Sequence, residues 1–217
     1  MLASKEQMAE FVGLFKTLGI KQIYRKGDQI IRPGDIPRGV YYIEKGLVKA
    51  YDITRYNEEN LLIIRKGEEV FPLIWAMTGQ ERHVIYETLE ETIVYRLDRK
   101  VFLKFIESSP EAMAPLLDMT IEMYRLHSER IINLEYRTAR ERIVSFLLTM
   151  SQRFGKKTAE GLLINVPLRH QDIASSVNAT RETASREMAA LARKGLIVNK
   201  QYQTIIKDAE SLKKILD

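Results

Sequence analysis

Arg181, Glu182, Ser185 and Arg186 are the residues whose types and spacing most clearly suggest chemistry. In the run Thr180–Arg193, Ala184, Met188 and Leu191 recur at helical spacing and should face a core, which leaves those four polar residues on the opposite face. Arg bonds guanine O6 and N7 in a major groove, Glu accepts from cytosine N4, and Ser serves several bases or a phosphate. Thr180 is placed to cap the helix, and Gly195 follows it where a left-handed residue is wanted. Just upstream, Arg169–Val177 reads as a shorter helix with Ile173, Ala174 and Val177 inside, and Asn178 suits a left-handed turn. A bracing helix, a turn and an exposed polar helix make a helix-turn-helix. The same pattern also fits an ordinary helical hairpin, with Glu182 and Arg186 a surface pair worth a few tenths of a kcal/mol.

The rest of the chain must position that helix. Ser4–Leu18 reads as an amphipathic helix with Met8, Phe11, Val12 and Phe15 on one side. From Ile20 to Leu97 come short β-rich runs: 22–25, 29–32, 39–44, 46–53, 60–65, 83–88 and 91–98. They are cut at Gly27-Asp28, Pro33-Gly34-Asp35, Lys45-Gly46 and Lys66-Gly67, a spacing that predicts an antiparallel sandwich or barrel. Arg55–Asn60 reads as a hairpin tip. After a short helix around Phe102 and Ile106, Ser108 and Glu111 have capping-box spacing for a long helix. That helix carries one stripe of Met113, Leu117, Thr120, Tyr124, His127, Ile131 and Leu134, and another of Leu116, Met119, Met123 and Leu126. The first alternates steps of four and three, as a coiled-coil seam does, and is assigned to a second copy of the chain; the second is assigned to the β domain. A single broad buried face is the alternative. Thr138 and Glu141 offer another capping box, so Glu135–Thr138 is the expected hinge. Gly155–Gly161 reads as a polar loop. Leu162–Val166 reads as a strand, Leu196–Val198 with Thr204–Lys207 as a wing hairpin, and Asp208 as the cap of a last helix. The expected division is 1–108, 109–136 and 137–217.

Composition narrows the function classes. Residues 137–217 hold 15 Lys and Arg against 8 Asp and Glu, whereas the remainder holds 19 against 21. One basic domain beside a slightly acidic one suits a polyanion partner for the first only. There is no cysteine, which excludes disulfides, cysteine-held iron–sulfur clusters and thiolate ligation of a metal or haem. No apolar run is long enough to cross a bilayer, and the first residues do not read as a signal peptide, so a cytoplasmic protein is expected. Three histidines without ligand spacing, and no nucleophile elbow or phosphate loop, argue against an enzyme and against a metal site.

With these elements in this order, nearly the whole chain resembles the cyclic-AMP receptor protein and fumarate-nitrate regulator (CRP/FNR) family. The residues that carry the resemblance are Gln171-Asp172-Ile173-Ala174 and Thr180-Arg181-Glu182-Thr183-Ala184-Ser185-Arg186. The resemblance implies an α+β chain: an N-terminal antiparallel β-roll of jelly-roll type, a long dimerisation helix, and a C-terminal winged helix-turn-helix. It implies a cytoplasmic homodimer that regulates transcription on palindromic double-stranded DNA, with half-sites about one helical turn, ~34 Å, apart. By that analogy Glu182 reads a C·G pair, Arg186 a guanine, Arg181 a guanine or phosphate, and Ser185 lies near a thymine of a TTGA-type half-site. His170, Gln171, Thr180 and Thr183 would be phosphate contacts. RNA polymerase would be a partner, touched through Asp52–Asn60 and the Gly155–Gly161 loop.

The family's cyclic-nucleotide cassette is expected to be missing. Lys66-Gly67-Glu68 is present, but Phe71-Pro72 stands where Gly-Glu should be, and His83 follows Arg82 where a hydroxyl residue should. Proline removes a donor, and phenylalanine adds bulk where a ligand must approach backbone. Haem remains open through His83 or His127. A small acidic or aromatic effector among Phe71, Leu73, Arg82, His83, Tyr124, His127 and Ser128 is weighed against simple packing there and against constitutive DNA binding. A winged helix used for protein contacts is a further alternative.

Overall fold

A computed structural model describes residues 2–217, which divide into two compact units. The first comprises the residues up to Asp52 together with Leu62–Leu126; the second comprises Ile53–Leu61 with His127–Asp217. The division therefore runs through the long helix, and the tip of one β-hairpin belongs to the second unit.

The first unit opens with α1 (Lys5–Leu18), capped by Ser4 and Gln7 in a reciprocal capping box. Eight strands follow: β1 (Ile20–Tyr24), β2 (Gln29–Ile31), β3 (Val40–Lys45), β4 (Val48–Ile53), β5 (Glu59–Arg65), β6 (Val70–Phe71), β7 (Ile85–Thr88) and β8 (Thr92–Leu97). They form two four-stranded sheets, ordered β1-β8-β3-β6 and β2-β7-β4-β5. Side chains alternate between the faces of a strand, and β3 shows the consequence. Tyr41 and Ile43 join the core between the sheets, with Val48, Ala50, Ile63, Phe71, Tyr86 and Val94. Val40 and Tyr42 point to a second core, under α1 and α3 (Arg99–Ser108), with Phe11, Phe15 and Phe102. A strand covered on both faces reads as an unbroken apolar run, which is why Val40–Ile43 lacks alternation.

Two short elements escape sequence reading. The two-residue β6 offers no period to detect, and α2 (Leu73–Thr78) is only six residues long, although Gly79 in a left-handed conformation ends it in the ordinary way. The capping box expected at Ser108 and Glu111 does not form. Ser108 Oγ instead bonds back to the Phe105 carbonyl at 3.2 Å, Pro110–Ala112 is a 3-10 turn, and the long helix α4 runs Met113–Tyr136.

In the second unit, α5 (Ala139–Phe154) starts at Thr138, whose side chain and that of Glu141 form the expected capping box. Gly155–Gly161 is not a loop. Gly155–Thr158 is strand β9, paired with β10 (Gly161–Ile164) across a two-residue turn. Gly161 has φ +135°, and a Cβ there would collide with the Ile206 carbonyl, so glycine is required. All of β9 is exposed, which leaves no hydrophobic alternation to betray it. Then come α6 (His170–Ser176), α7 (Arg181–Arg193), the hairpin of β11 (Ile197–Lys200) and β12 (Gln203–Ile206), and α8 (Ala209–Lys213), capped by Asp208. The sheet order β11-β12-β10-β9 sets the hairpin beside β10. Ile143, Leu147, Ile173, Ala174, Ala184, Met188, Leu191, Ile197 and Leu212 are buried.

Candidate nucleic-acid interface

The recognition surface is built from the inside outward. Ala184, Met188 and Leu191 are all essentially inaccessible, and their burial fixes which way α7 turns. Arg181, Glu182 and Arg186 are consequently exposed on the other side, and Ser185 is half-buried between the two faces. Arg186 keeps 69% of its side chain accessible and leans on Glu187 at 3.4 Å rather than on Glu182, so the i,i+4 pair of a plain helical hairpin is not made. Glu187 is held mainly by Arg140 of α5, whose Nε donates to it at 2.7 Å; this hydrogen bond pulls the Glu187 carboxyl below the ordinary glutamate range.

Both ends of α7 are fixed by local chemistry. Thr180 Oγ1 accepts from the Thr183 N–H at 3.1 Å, and Gly195 is left-handed with φ +72°. The Leu196 N–H reaches back to the Leu191 carbonyl, closing a Schellman-type end. The turn before α7 passes through Asn178 at φ 50°, the left-handed position expected of it. On α6, Asp172 accepts from the backbone N–H of Arg169 at 2.8 Å and from its guanidinium at 3.0 Å. His170 and Gln171 are half-buried in the first turn of α6, while Thr180 and Thr183 stand at the start of α7. Each pair is at a helix N-terminus, the positive end of the helix dipole.

Within the first unit, Phe71, Leu73, Arg82 and His83, expected to line an effector pocket, have different surroundings. Phe71 is fully buried between the two sheets, stacked on Tyr41 at 5.2 Å and on Tyr86 at 4.7 Å. Burial raises the phenols beside it, Tyr41 to about 12. Leu73 packs instead on the helix-covered core. Arg82 and His83 are exposed on the segment between α2 and β7. Tyr124 is 75% exposed, and His127 and Ser128 belong to the second unit. On α4, Leu116 and Met119 meet the helix-covered core and Met123 and Leu126 the intersheet core, as the two-stripe reading requires. Met113, Leu117, Tyr124 and Ile131 are exposed, as are Ile121 and Ile132, which the seam pattern did not include; Thr120 is exposed and Leu134 half-buried. Thr120 satisfies its hydroxyl on the Leu116 carbonyl at 2.7 Å, so it costs little on an apolar face. Among the described residues no cluster of His, Asp and Glu is disposed to hold a metal ion, and no helix is long and apolar enough to cross a membrane.

A two-sheet β domain, a long helix with an exposed apolar stripe, and a helix-turn-helix followed by a wing define a class: the winged-helix regulators that act on DNA. Comparison with known proteins finds two domain matches and several relatives. A Crp-like helix-turn-helix domain matches residues 141–215, and a cyclic nucleotide-binding domain matches residues 21–109. The global nitrogen regulator of a Nostoc species is 29% identical over 196 residues, which cover 87% of this chain and 86% of that one. A CRP-like cAMP-activated global transcriptional regulator of Mycobacterium tuberculosis is 27% identical, over 84% of this chain and 87% of that one. The fold is that of FixK2 from Bradyrhizobium japonicum, with a TM-score of 0.78, 24% identity, and coverage of 91% and 96% of the two chains. The chain is similar to CRP/FNR transcription regulators along most of its length and carries a Crp-like DNA-binding helix-turn-helix. One expectation is corrected. The cyclic nucleotide-binding domain is present, so the chain is not to be described as lacking it; Phe71-Pro72 and Arg82-His83 lie within the matched residues.

Arg130 and Arg142 are not singled out by the sequence pattern. Arg142 of α5 donates to the Arg137 carbonyl and to the Asn178 carbonyl, each at 3.2 Å, tying the start of α5 to the turn before α7. Arg130 of α4 donates to the Ser176 carbonyl at 3.1 Å. The Arg142–Asn178 and Arg130–Ser176 contacts join residues 36 and 46 positions apart in sequence, and no local spacing announces them.

Proposed function

We propose that the chain is a homodimeric, sequence-specific regulator that reads a palindromic TTGA-type operator through Arg181, Glu182, Ser185 and Arg186. The observation that carries this reading is the α7 face, with three charged side chains exposed directly opposite a triplet of buried apolar ones. His170, Gln171, Thr180 and Thr183 set the register on phosphates without reading sequence. The seam residues Met113, Leu117, Thr120, Tyr124, Ile131 and Leu134 pair with those of a second copy, giving the two-fold symmetry that a palindrome matches. The functional division is a β-roll over 1–108, a dimerisation helix and hinge over 109–136, and the winged helix-turn-helix over 137–217. The protein works in the cytoplasm, without catalysis, and touches RNA polymerase through Asp52–Asn60 and the β9–β10 hairpin.

The β-roll takes a small effector, with Arg82 the cation that would meet an acidic group. A second reading, constitutive DNA binding, is favoured by Phe71, whose ring and two stacked neighbours occupy the space between the sheets. Gel shifts on a TTGA-N6-TCAA duplex and a scrambled one, across a salt series, test the reading. The expected result is preferential binding whose affinity falls steeply with salt as phosphates are neutralised and counterions released. Equal binding of both duplexes, or a flat salt response, would remove it.

A further inference from the structure

α6 has seven residues, and its end groups need partners that fix the angle at which it meets α7: the Val177 and Ala179 N–H groups take the Ile173 and Ala174 carbonyls, which leaves the Ser176 carbonyl for a group from elsewhere. At its N-terminus that role falls to Asp172, within the helix itself. At its C-terminus the partner is distant: Arg130 Nε donates to the Ser176 carbonyl at 3.1 Å. A cation there also sits favourably at the negative end of a helix. The same guanidinium sends Nη2 to Asn60 Oδ1 at 2.6 Å. Asn60 lies on β5, at the hairpin tip Ile53–Leu61 that belongs to the second unit. The hairpin also lies near the other end of α6, with Glu59 4.0 Å from the Arg169 guanidinium. A guanidinium is a rigid planar fork, so a bond on one prong sets the direction of the others. Misplacing a contact helix by about 1 Å is enough to lose productive geometry.

The geometry points to Asn60 as a positioning residue for DNA binding: through Arg130 it aims the carbonyl clamp on α6 and so holds the turn that presents α7. The inference rests on α7 being the DNA-reading helix, but not on the TTGA half-site. Neither Asn60 nor Arg130 is among the base- or phosphate-contacting residues.

The test uses the full chain and a duplex enriched from a random pool by the wild-type protein, so that no operator is assumed. Asn60→Leu keeps the side-chain size but removes the acceptor; Asn60→Asp keeps an acceptor for Arg130. Asn60→Leu should weaken specific binding about tenfold, as expected for a lost hydrogen bond to a charged group. Asn60→Asp should bind like wild type. Arg130→Ala should bind at least as weakly as Asn60→Leu, and the double variant no more weakly than Arg130→Ala, because the two residues act as one. A role confined to packing would leave Asn60→Leu, which keeps the side-chain size, binding like wild type, and would give additive losses in the double variant. Wild-type or tighter binding by Asn60→Leu, or losses that multiply in the double variant, would overturn the clamp alone. If the wild-type chain enriches no duplex, the DNA-reading role of α7 falls, and the clamp with it.

Discussion

At the scale of single residues, the exposed Arg186 guanidinium can be either a base reader or a phosphate anchor, and the two roles leave different signatures. Arg186→Ala should cost about 1–3 kcal/mol of discrimination at one base pair of each half-site, with smaller effects elsewhere. Competition binding against a set of single-base operator variants measures this, and a uniform loss on every variant would make Arg186 a phosphate contact. Glu187 gives a pH prediction of definite sign. Its folded carboxyl is held below the usual 4.5, first by the hydrogen bond from Arg140 and further by charge. A depressed folded value means that the contribution is complete above pH 4.5 and is lost as pH falls through the lowered value. Glu187→Gln should therefore show a shallower loss of thermal stability on acidification than wild type; parallel pH profiles would show that the Arg140 contact is immaterial. The exposure of Arg181, Glu182 and Arg186 was legible in the sequence, because a helix face opposite Ala184, Met188 and Leu191 announces itself by period alone. Arg140, Arg142 and Arg130 were not, because they act on backbone carbonyls and side chains that meet them only after folding.

At the scale of elements, the stacked rings of Tyr41, Phe71 and Tyr86 are the centre of the β-roll. Phe71→Ala should destabilise the chain by about 3–5 kcal/mol, as large-to-small changes at fully buried aromatics do, and chemical denaturation would register it. A loss under about 1 kcal/mol would mean that the rings stack without packing the core. The strands from β1 to β8 were mostly legible, since turns at Gly27, Gly34, Gly46 and Gly67 separate apolar runs. Three kinds of element were not. β6 is too short to show a period, β9 is polar throughout, and α4 begins at Met113, after the Pro110–Ala112 3-10 turn, with the Ser108 hydroxyl bonded back to Phe105 rather than capping forward. Thr138 and Glu141 have the same spacing as Ser108 and Glu111 and do form a capping box, so the motif nominates a helix start that the surrounding chain then accepts or refuses.

At the scale of the whole molecule, α4 carries an exposed apolar stripe, and the proposed pairing of that stripe with a second copy of the chain would match the symmetry of a palindrome. Leu117→Glu with Ile131→Glu should convert the dimer to monomer in sedimentation and weaken operator binding at the same time, because one half-site alone gives up the second set of contacts. A dimer that survives both charges would move the interface elsewhere. The central claim is that two α7 helices enter successive major grooves of one duplex. Methylation interference at guanine N7, on a duplex selected by the wild-type protein, examines that directly. Two symmetric clusters of interfering guanines about one helical turn, ~10 base pairs, apart are predicted, each weakened by Arg186→Ala. A single cluster, or no guanine whose methylation interferes, would contradict the account.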